Sequence, residues 1–143
     1  MEILVANGPK ILYHMHIGLG NGADMKYEIF QIQLADSVYD AVNLLGRTKA
    51  SELYPDFAAE NDVSFYGSKR FKPQYLKYYN KVAEVDADGL EEVFEIGNGY
   101  GDQSKITRLA RMHSVSVGDI IRVDTGRYMM VDGIGFTEVS ING

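Results

Sequence analysis

The last part of the chain constrains its fold most tightly. Three short runs of strand-forming residues, Ile120–Val123, Arg127–Val131 and Phe136–Val139, are separated by Asp124-Thr125-Gly126 and Asp132-Gly133-Ile134-Gly135. Links this short, each containing glycine, leave no room for a crossover helix, so successive strands can only pair with their neighbours. The segment therefore predicts an antiparallel three-strand meander, entered through a turn at Val117-Gly118-Asp119. A meander alone buries too little to be stable and needs further strands or helices against it.

The upstream sequence supplies them. From Lys26 to Leu34, Phe30, Ile32 and Leu34 alternate with Gln31 and Gln33, the period of a half-buried strand. Asp36 and Ser37 are candidate N-caps for a helix in which Val38, Ala41, Val42 and Leu45 share a face, and Gly46 is its stop. Between 47 and 68, Ser51–Tyr54 reads as one helical turn ended by Pro55, and the remainder has no period. From Lys72, the spacing of Tyr75, Tyr78, Tyr79 and Val82 is helical and leads into a strand at Val82–Val85. Asp86 or Asp88 is placed to cap a helix carrying Leu90, Val93 and Phe94 on its apolar side. Glu91 and Glu92 lie in its first turn, and Gly97-Asn98-Gly99 ends it. Gln103–Ser114 reads as a polar loop.

The class expected from this order is α+β. One domain spans 25–143, with a mixed or antiparallel sheet, a C-terminal three-strand meander and two to three helices on one face. Residues 1–24 differ in texture and form either an appendage or a hairpin. In the hairpin reading, Ile3–Val5 and Ile11–Tyr13 flank Asn7-Gly8-Pro9-Lys10, and Gly18-Leu19-Gly20-Asn21-Gly22 is a linker.

At 143 residues one hydrophobic core is sufficient without staples. The chain has no cysteine, which removes disulfides, thiolate metal sites and cysteine nucleophiles and fits a reducing compartment. No apolar run reaches the ~18 residues of a membrane span. Pro9, Lys10, His14 and His16 interrupt any signal-like core near the start, so a cytoplasmic location without membrane association is expected. The net charge of -6 disfavours bulk attraction to nucleic acid.

Two stretches carry candidate binding chemistry. Ser64–Lys81 holds five basic residues and no acidic one, interleaved with six aromatics. Lys69, Arg70, Phe71, Lys72 and Tyr75 are its candidate contact residues. Such a run suits an acidic protein surface, with tyrosine and arginine anchors. It also suits single-stranded nucleic acid, whose phosphates pair with cations and whose bases stack on rings. The alternative is structural: Tyr75, Tyr78 and Tyr79 form a core-facing stripe. Lys105, Arg108, Arg111 and His113 form a second basic stretch, a candidate anion clamp; the competing reading pairs them with Glu91, Glu92, Glu95 or Asp102. His14 and His16 could supply half of a metal site, but no third histidine lies nearby, so no metal is expected. Asp86, Asp88, Glu91 and Glu92 have the spacing that capping alone demands. Gly97-Asn98-Gly99-Tyr100-Gly101 follows a helix and lacks the Gly-Lys-Ser/Thr ending of a phosphate loop. No catalytic motif is present, and no cofactor is expected.

Three segments, Asp86-Ala87-Asp88-Gly89-Leu90-Glu91-Glu92-Val93-Phe94, Ser114-Val115-Ser116-Val117-Gly118-Asp119-Ile120-Ile121 and Gly135-Phe136-Thr137-Glu138-Val139, together resemble the pattern of small bacteriophage-encoded accessory proteins with YodL-like domains. The resemblance covers roughly residues 79–140 and the start at Met25. It implies a phage or mobile-element origin and transfers no catalytic residue. The function expected is that of a small non-enzymatic phage protein that binds a host macromolecule, as a host-takeover or anti-defence inhibitor in the host cytoplasm. The alternatives are a nucleic-acid-binding module using residues 64–81 and a nucleotide-binding or sequestering protein using Arg108 and Arg111. A host protein is the expected partner, with a homodimer open because a short meander has exposed edges.

Overall fold

The computed structural model describes residues 24–142 and, before them, the backbone of two strands, β1 (Ile3–Val5) and β2 (Gly8–Ile11). These pair antiparallel with Ile3 opposite Ile11. The second strand thus starts at Gly8, three residues earlier than expected, and takes in Pro9. A two-stranded ribbon is all edge, and there proline is tolerated. The expected linker and the pair His14 and His16 lie outside the described residues.

The main sheet comprises β3 (Met25–Ile32), β4 (Tyr79–Ala87), β5 (Ile106–Arg108), β6 (Ile120–Arg122), β7 (Tyr128–Val131) and β8 (Phe136–Val139). Their spatial order is β5-β4-β3-β6-β7-β8, with every neighbouring pair antiparallel. The expected meander is β6-β7-β8, in register from Ile120 opposite Met130 to Val131 opposite Phe136. β3 is central and pairs with β4 on one side and β6 on the other. Ile29 faces Ala83 but Phe30 faces Lys81, so Val82 is an extra residue in β4 and forms a bulge.

Four α-helices occur among the described residues: α1 (Asp36–Leu45), α2 (Arg47–Leu53), α3 (Pro55–Tyr66) and α4 (Leu90–Gly97). Together with the antiparallel sheet they form a single α+β domain. The stretch expected to lack a period is helical. Pro55 opens α3 instead of closing a turn, since its ring suits the first helical position. Only Phe57, Ala59 and Val63 of α3 are buried, too few to show an apolar stripe. The expected strand Val82–Val85 lies within β4, which begins earlier and also takes in Tyr79, expected on a helix; the helical part ends with the 3-10 turn Pro73–Tyr78.

Helices cover both faces of the sheet, a correction to the one-face expectation. Ile121 and Ile29 oppose each other and pack with Leu90, Val93 and Ile96 of α4. Ile120, the next residue in β6, points to the other face and packs with Ala59 and Val63 of α3. That second face is apolar only in part. Beside the α3 contact, Glu28 takes Lys81 at 2.5 Å and Arg122 at 3.0 Å, and Lys81 reaches Glu84 at 2.6 Å, an ion network across three strands. Lys81 in turn holds Glu28 below the usual carboxylate range, burial working against it.

The expected caps are also replaced. Neither Asp36 nor Ser37 caps α1, whose N-cap is Ala35. Gly89 is the N-cap of α4, and the Glu92 carboxylate turns back to accept the N–H of Asp88 at 2.9 Å. Gly97 and Asn98 close α4 as expected. Phe94 is more than one-third exposed, whereas Ile96 is fully buried, so the apolar side of α4 is Leu90, Val93 and Ile96.

Candidate functional site

The basic-aromatic run divides into an inner and an outer half. Phe71 and Tyr75 lie against the cluster of Ile32, Val63, Tyr79 and Met130. Their rings meet edge-on, at 6.4 Å between centroids. The hydroxyl of Tyr75 donates to Asp62, and burial together with that carboxylate pushes its pKa up to about 12. Tyr79 is buried and donates to the carbonyl of Gly118 at 2.6 Å. Phe71 and Tyr75, expected as contact residues, are therefore partly buried against the core.

The outer half stays on the surface, on the side of α3 turned away from the buried Val63. Phe65 and Tyr66, in its last turn, are 64% and 53% exposed, which is unusual for rings this large. The Arg47 guanidinium at the start of α2 lies 5.2 Å from the Phe65 ring and 5.4 Å from that of Phe57. Arg70 sits 4.3 Å over the ring of Tyr66 and 3.7 Å from Asp62. Lys69 and Lys72 are exposed, and Lys69 has no ion-pair partner among the described residues. The surface thus presents two rings, two arginines lying on them, the unpaired ammonium of Lys69, and that of Lys72, 5.7 Å over the Tyr75 ring. Arg47 is 18 residues upstream of Phe65, so sequence proximity gave no sign of it.

The second basic stretch is not one cluster. Lys105 pairs with Glu92 at 2.8 Å and with Asp24 at 3.2 Å. Burial would lower its pKa, but those two carboxylates outweigh it and raise it. The pairing reading therefore holds for Lys105. His113 takes the side-chain carbonyl of Gln31 on its backbone N–H at 3.1 Å, at the far end of β3 from Asp24. Seven residues of strand separate those ends, roughly 23 Å, so Lys105 and His113 cannot hold one anion. Arg108 lies on the outer strand β5 with Gln103 at 3.3 Å. Arg111 has no side-chain partner among the described residues and is exposed.

His113 belongs instead to a buried polar node unforeseen in the sequence. Gln31, fully buried in β3, donates to the His113 carbonyl at 2.9 Å and to Asp119 at 3.0 Å. The same Asp119 oxygen accepts the Ser116 N–H at 3.0 Å and lies 3.9 Å from the His113 ring. Burial pushes the Asp119 carboxyl up to about 7 despite these contacts, and burial likewise raises Glu60 nearby. A histidine beside a carboxylate can shuttle protons. The cavity beside it, lined by Glu60, Ser64, His113 and Asp119, is only about 30 Å³, room for one water and no substrate. The node's work is to fix the turn into β6. There Gly118 adopts φ +96°, and any Cβ would fall 2.8 Å from the backbone of Val63. The alternation that marked Gln31 as solvent-facing misled because both faces of the sheet are covered.

Among the described residues no group of three or more histidine, aspartate or glutamate side chains could hold a metal ion. No helix there is long and apolar enough to cross a membrane.

No family model matches the chain, and no solved structure is significantly similar to it. One viral protein is: Uncharacterized protein R785 of Acanthamoeba polyphaga mimivirus is 34% identical over 94 residues, 60% of this chain and 85% of the viral protein. With that identity over most of the viral protein's length, the chain belongs to the same family as the mimivirus protein.

Proposed function

We propose that this chain is a non-enzymatic viral protein that binds a host macromolecule, and that its contact surface is the end of α3. The observation that carries this reading is the exposure of Phe65 and Tyr66, each overlaid by an arginine, beside unpaired Lys69. Exposed aromatic and arginine side chains that become buried on association contribute most to interface energies, about 2 kcal/mol or more each. An acidic protein surface is favoured over single-stranded nucleic acid. Arg70 already covers one face of Tyr66 and Arg47 lies against Phe65, so the ring faces on which bases would stack are partly occupied. The net charge of -6 opposes bulk attraction to any polyanion, so contact with an acidic surface rests on this local basic patch.

The mimivirus relative supports a viral origin. A bacteriophage origin, and with it an inhibitor's role in host takeover, rests on the resemblance of residues 86–94, 114–121 and 135–139.

Affinity capture from host-cell lysate, with and without nuclease, tests this reading. A nuclease-resistant partner bound in stoichiometric amount is expected, lost from the double variant Phe65→Ala with Tyr66→Ala by at least about 30-fold in affinity. The variant's melting temperature stays close to that of the native chain, since both rings are exposed. Capture that vanished with nuclease, or that survived the double variant unchanged, would overturn it.

A further inference from the structure

Among the described residues nothing pairs with the outer edge of β5. The N–H of Leu109 donates to Val82 at 2.8 Å, and Ala83 faces Arg108, so the ladder's alternation turns Leu109 and Thr107 inward to β4. The N–H and C=O of Arg108 and the C=O of Ile106 consequently point away from the sheet. The N–H of Ile106 is already taken by Gln103. β5 is the last strand on its side of the sheet, so these groups form a row of main-chain donors and acceptors facing outward. Thr107, Arg108, Leu109, Ala110 and Arg111 are all exposed along it. No proline and no bulge interrupts this side of β5, which is guarded by its length of three residues and by the charge of Arg108.

We infer that this edge is a strand-addition site that takes an acidic, extended peptide segment of a partner protein. Main-chain bonds to Arg108 and Ile106 would hold the peptide's backbone. Leu109 offers an apolar contact on one face of the added strand, and Arg108 and Arg111 offer cations to its carboxylates. Charge selects this occupant over a second copy of the chain. Antiparallel self-pairing centred on Arg108 would set two guanidinium groups opposite each other, and like charges in that position are destabilising. Strand addition reads backbone shape, which distinguishes it from general attraction of any polyanion. The site is separate from the end of α3 and does not depend on the reading given for that surface.

The test uses the full chain and a fluorescein-labelled seven-residue peptide of alternating Glu and Val, with two controls: the same peptide with a central proline, and its Lys-Val counterpart. The Glu-Val peptide is expected to bind at least about tenfold more tightly than either control. Binding should slow hydrogen exchange at the Arg108 amide. It should be weakened by Arg108→Ala, abolished by Arg108→Pro, which also removes the outward N–H, and unchanged by Phe65→Ala with Tyr66→Ala. Any loss of fold in Arg108→Pro leaves the exchange measurement and the peptide controls decisive. Equal binding of the proline peptide, or no protection at Arg108, would overturn strand addition. Equal binding of the Lys-Val peptide would overturn the acidic partner. Displacement of the Glu-Val peptide by oligothymidylate at lower concentration would hand the edge to nucleic acid. A dimer in sedimentation that Arg108→Ala strengthens would make the occupant a second copy.

Discussion

Asp119 is the residue at which burial, hydrogen bonding and charge meet most sharply. Its carboxyl is pushed up to about 7 by burial, while the Ser116 N–H, the Gln31 amide and the His113 ring pull the other way. An unfolded aspartate ionises near pH 3.9. Between about pH 4 and pH 7 the folded chain therefore holds a proton that the unfolded chain has released, and folding stability drops as pH rises through that window. The slope is at most about 1.4 kcal/mol per pH unit. Glu60, also raised by burial, acts in the same direction. Asp119→Asn cannot ionise and keeps an acceptor for Ser116 and Gln31, so its stability relative to the native chain should improve from pH 4.5 to pH 7.5. Urea denaturation at the two pH values measures this, and parallel pH dependence in both proteins would refute it.

At the scale of elements, α4 shows how a sequence pattern can name the right helix and misplace one residue of its face. Leu90 and Val93 are buried as their spacing indicated, but Phe94 is turned out over an open groove of about 400 Å³ lined also by Val131 and Phe136. Ile96, fully buried, takes the position that the larger ring was expected to fill. Truncation should reverse the ranking suggested by side-chain size. Ile96→Ala is expected to cost about 2–5 kcal/mol, the range for a buried aliphatic, and Phe94→Ala less than about 1 kcal/mol. Denaturant midpoints of the two variants decide it. The end of α4 was legible because Gly97-Asn98-Gly99 must end a helix wherever it lies. Its start was legible to within three residues, although the N-cap is Gly89 and neither Asp86 nor Asp88, with Glu92 reaching back to the N–H of Asp88.

For the molecule as a whole, the central strand dictates the order of events. β3 pairs with β4, whose first residue lies 47 positions beyond Ile32, and with β6, which lies further still. Neither pairing can form until a long loop has closed, so folding should be slow for a chain of this size, in the range of milliseconds to seconds. Stopped-flow refolding followed by tyrosine fluorescence, available from ten tyrosines in the absence of tryptophan, tests this. Microsecond refolding would show that the helices around 36–66 carry the rate-limiting step alone. The two candidate surfaces also belong to this scale. The arginines on Phe65 and Tyr66 come from α2 and from the turn after α3, and among the described residues no strand lies beyond β5 in the sheet.

The sequence by itself determined the elements whose signals are local. The meander β6-β7-β8 follows from glycine-containing links too short for a crossover, and β3 and α4 follow from alternation, helical spacing and terminal glycines. Tertiary structure alone decided the rest. Tyr79 reads as helical in isolation, yet pairing with Ile32 draws it into β4. Gln31 reads as solvent-facing, yet it is fully buried and its amide is satisfied by His113 and Asp119, more than 80 residues away in the chain. Lys105, Arg108, Arg111 and His113 are close in sequence, yet an extended chain rises about 3.3 Å per residue, which carries them to opposite ends of the sheet. Local chemistry sets where the backbone can turn, whereas burial and pairing depend on what packs against each face, and that is fixed by residues far away in the chain.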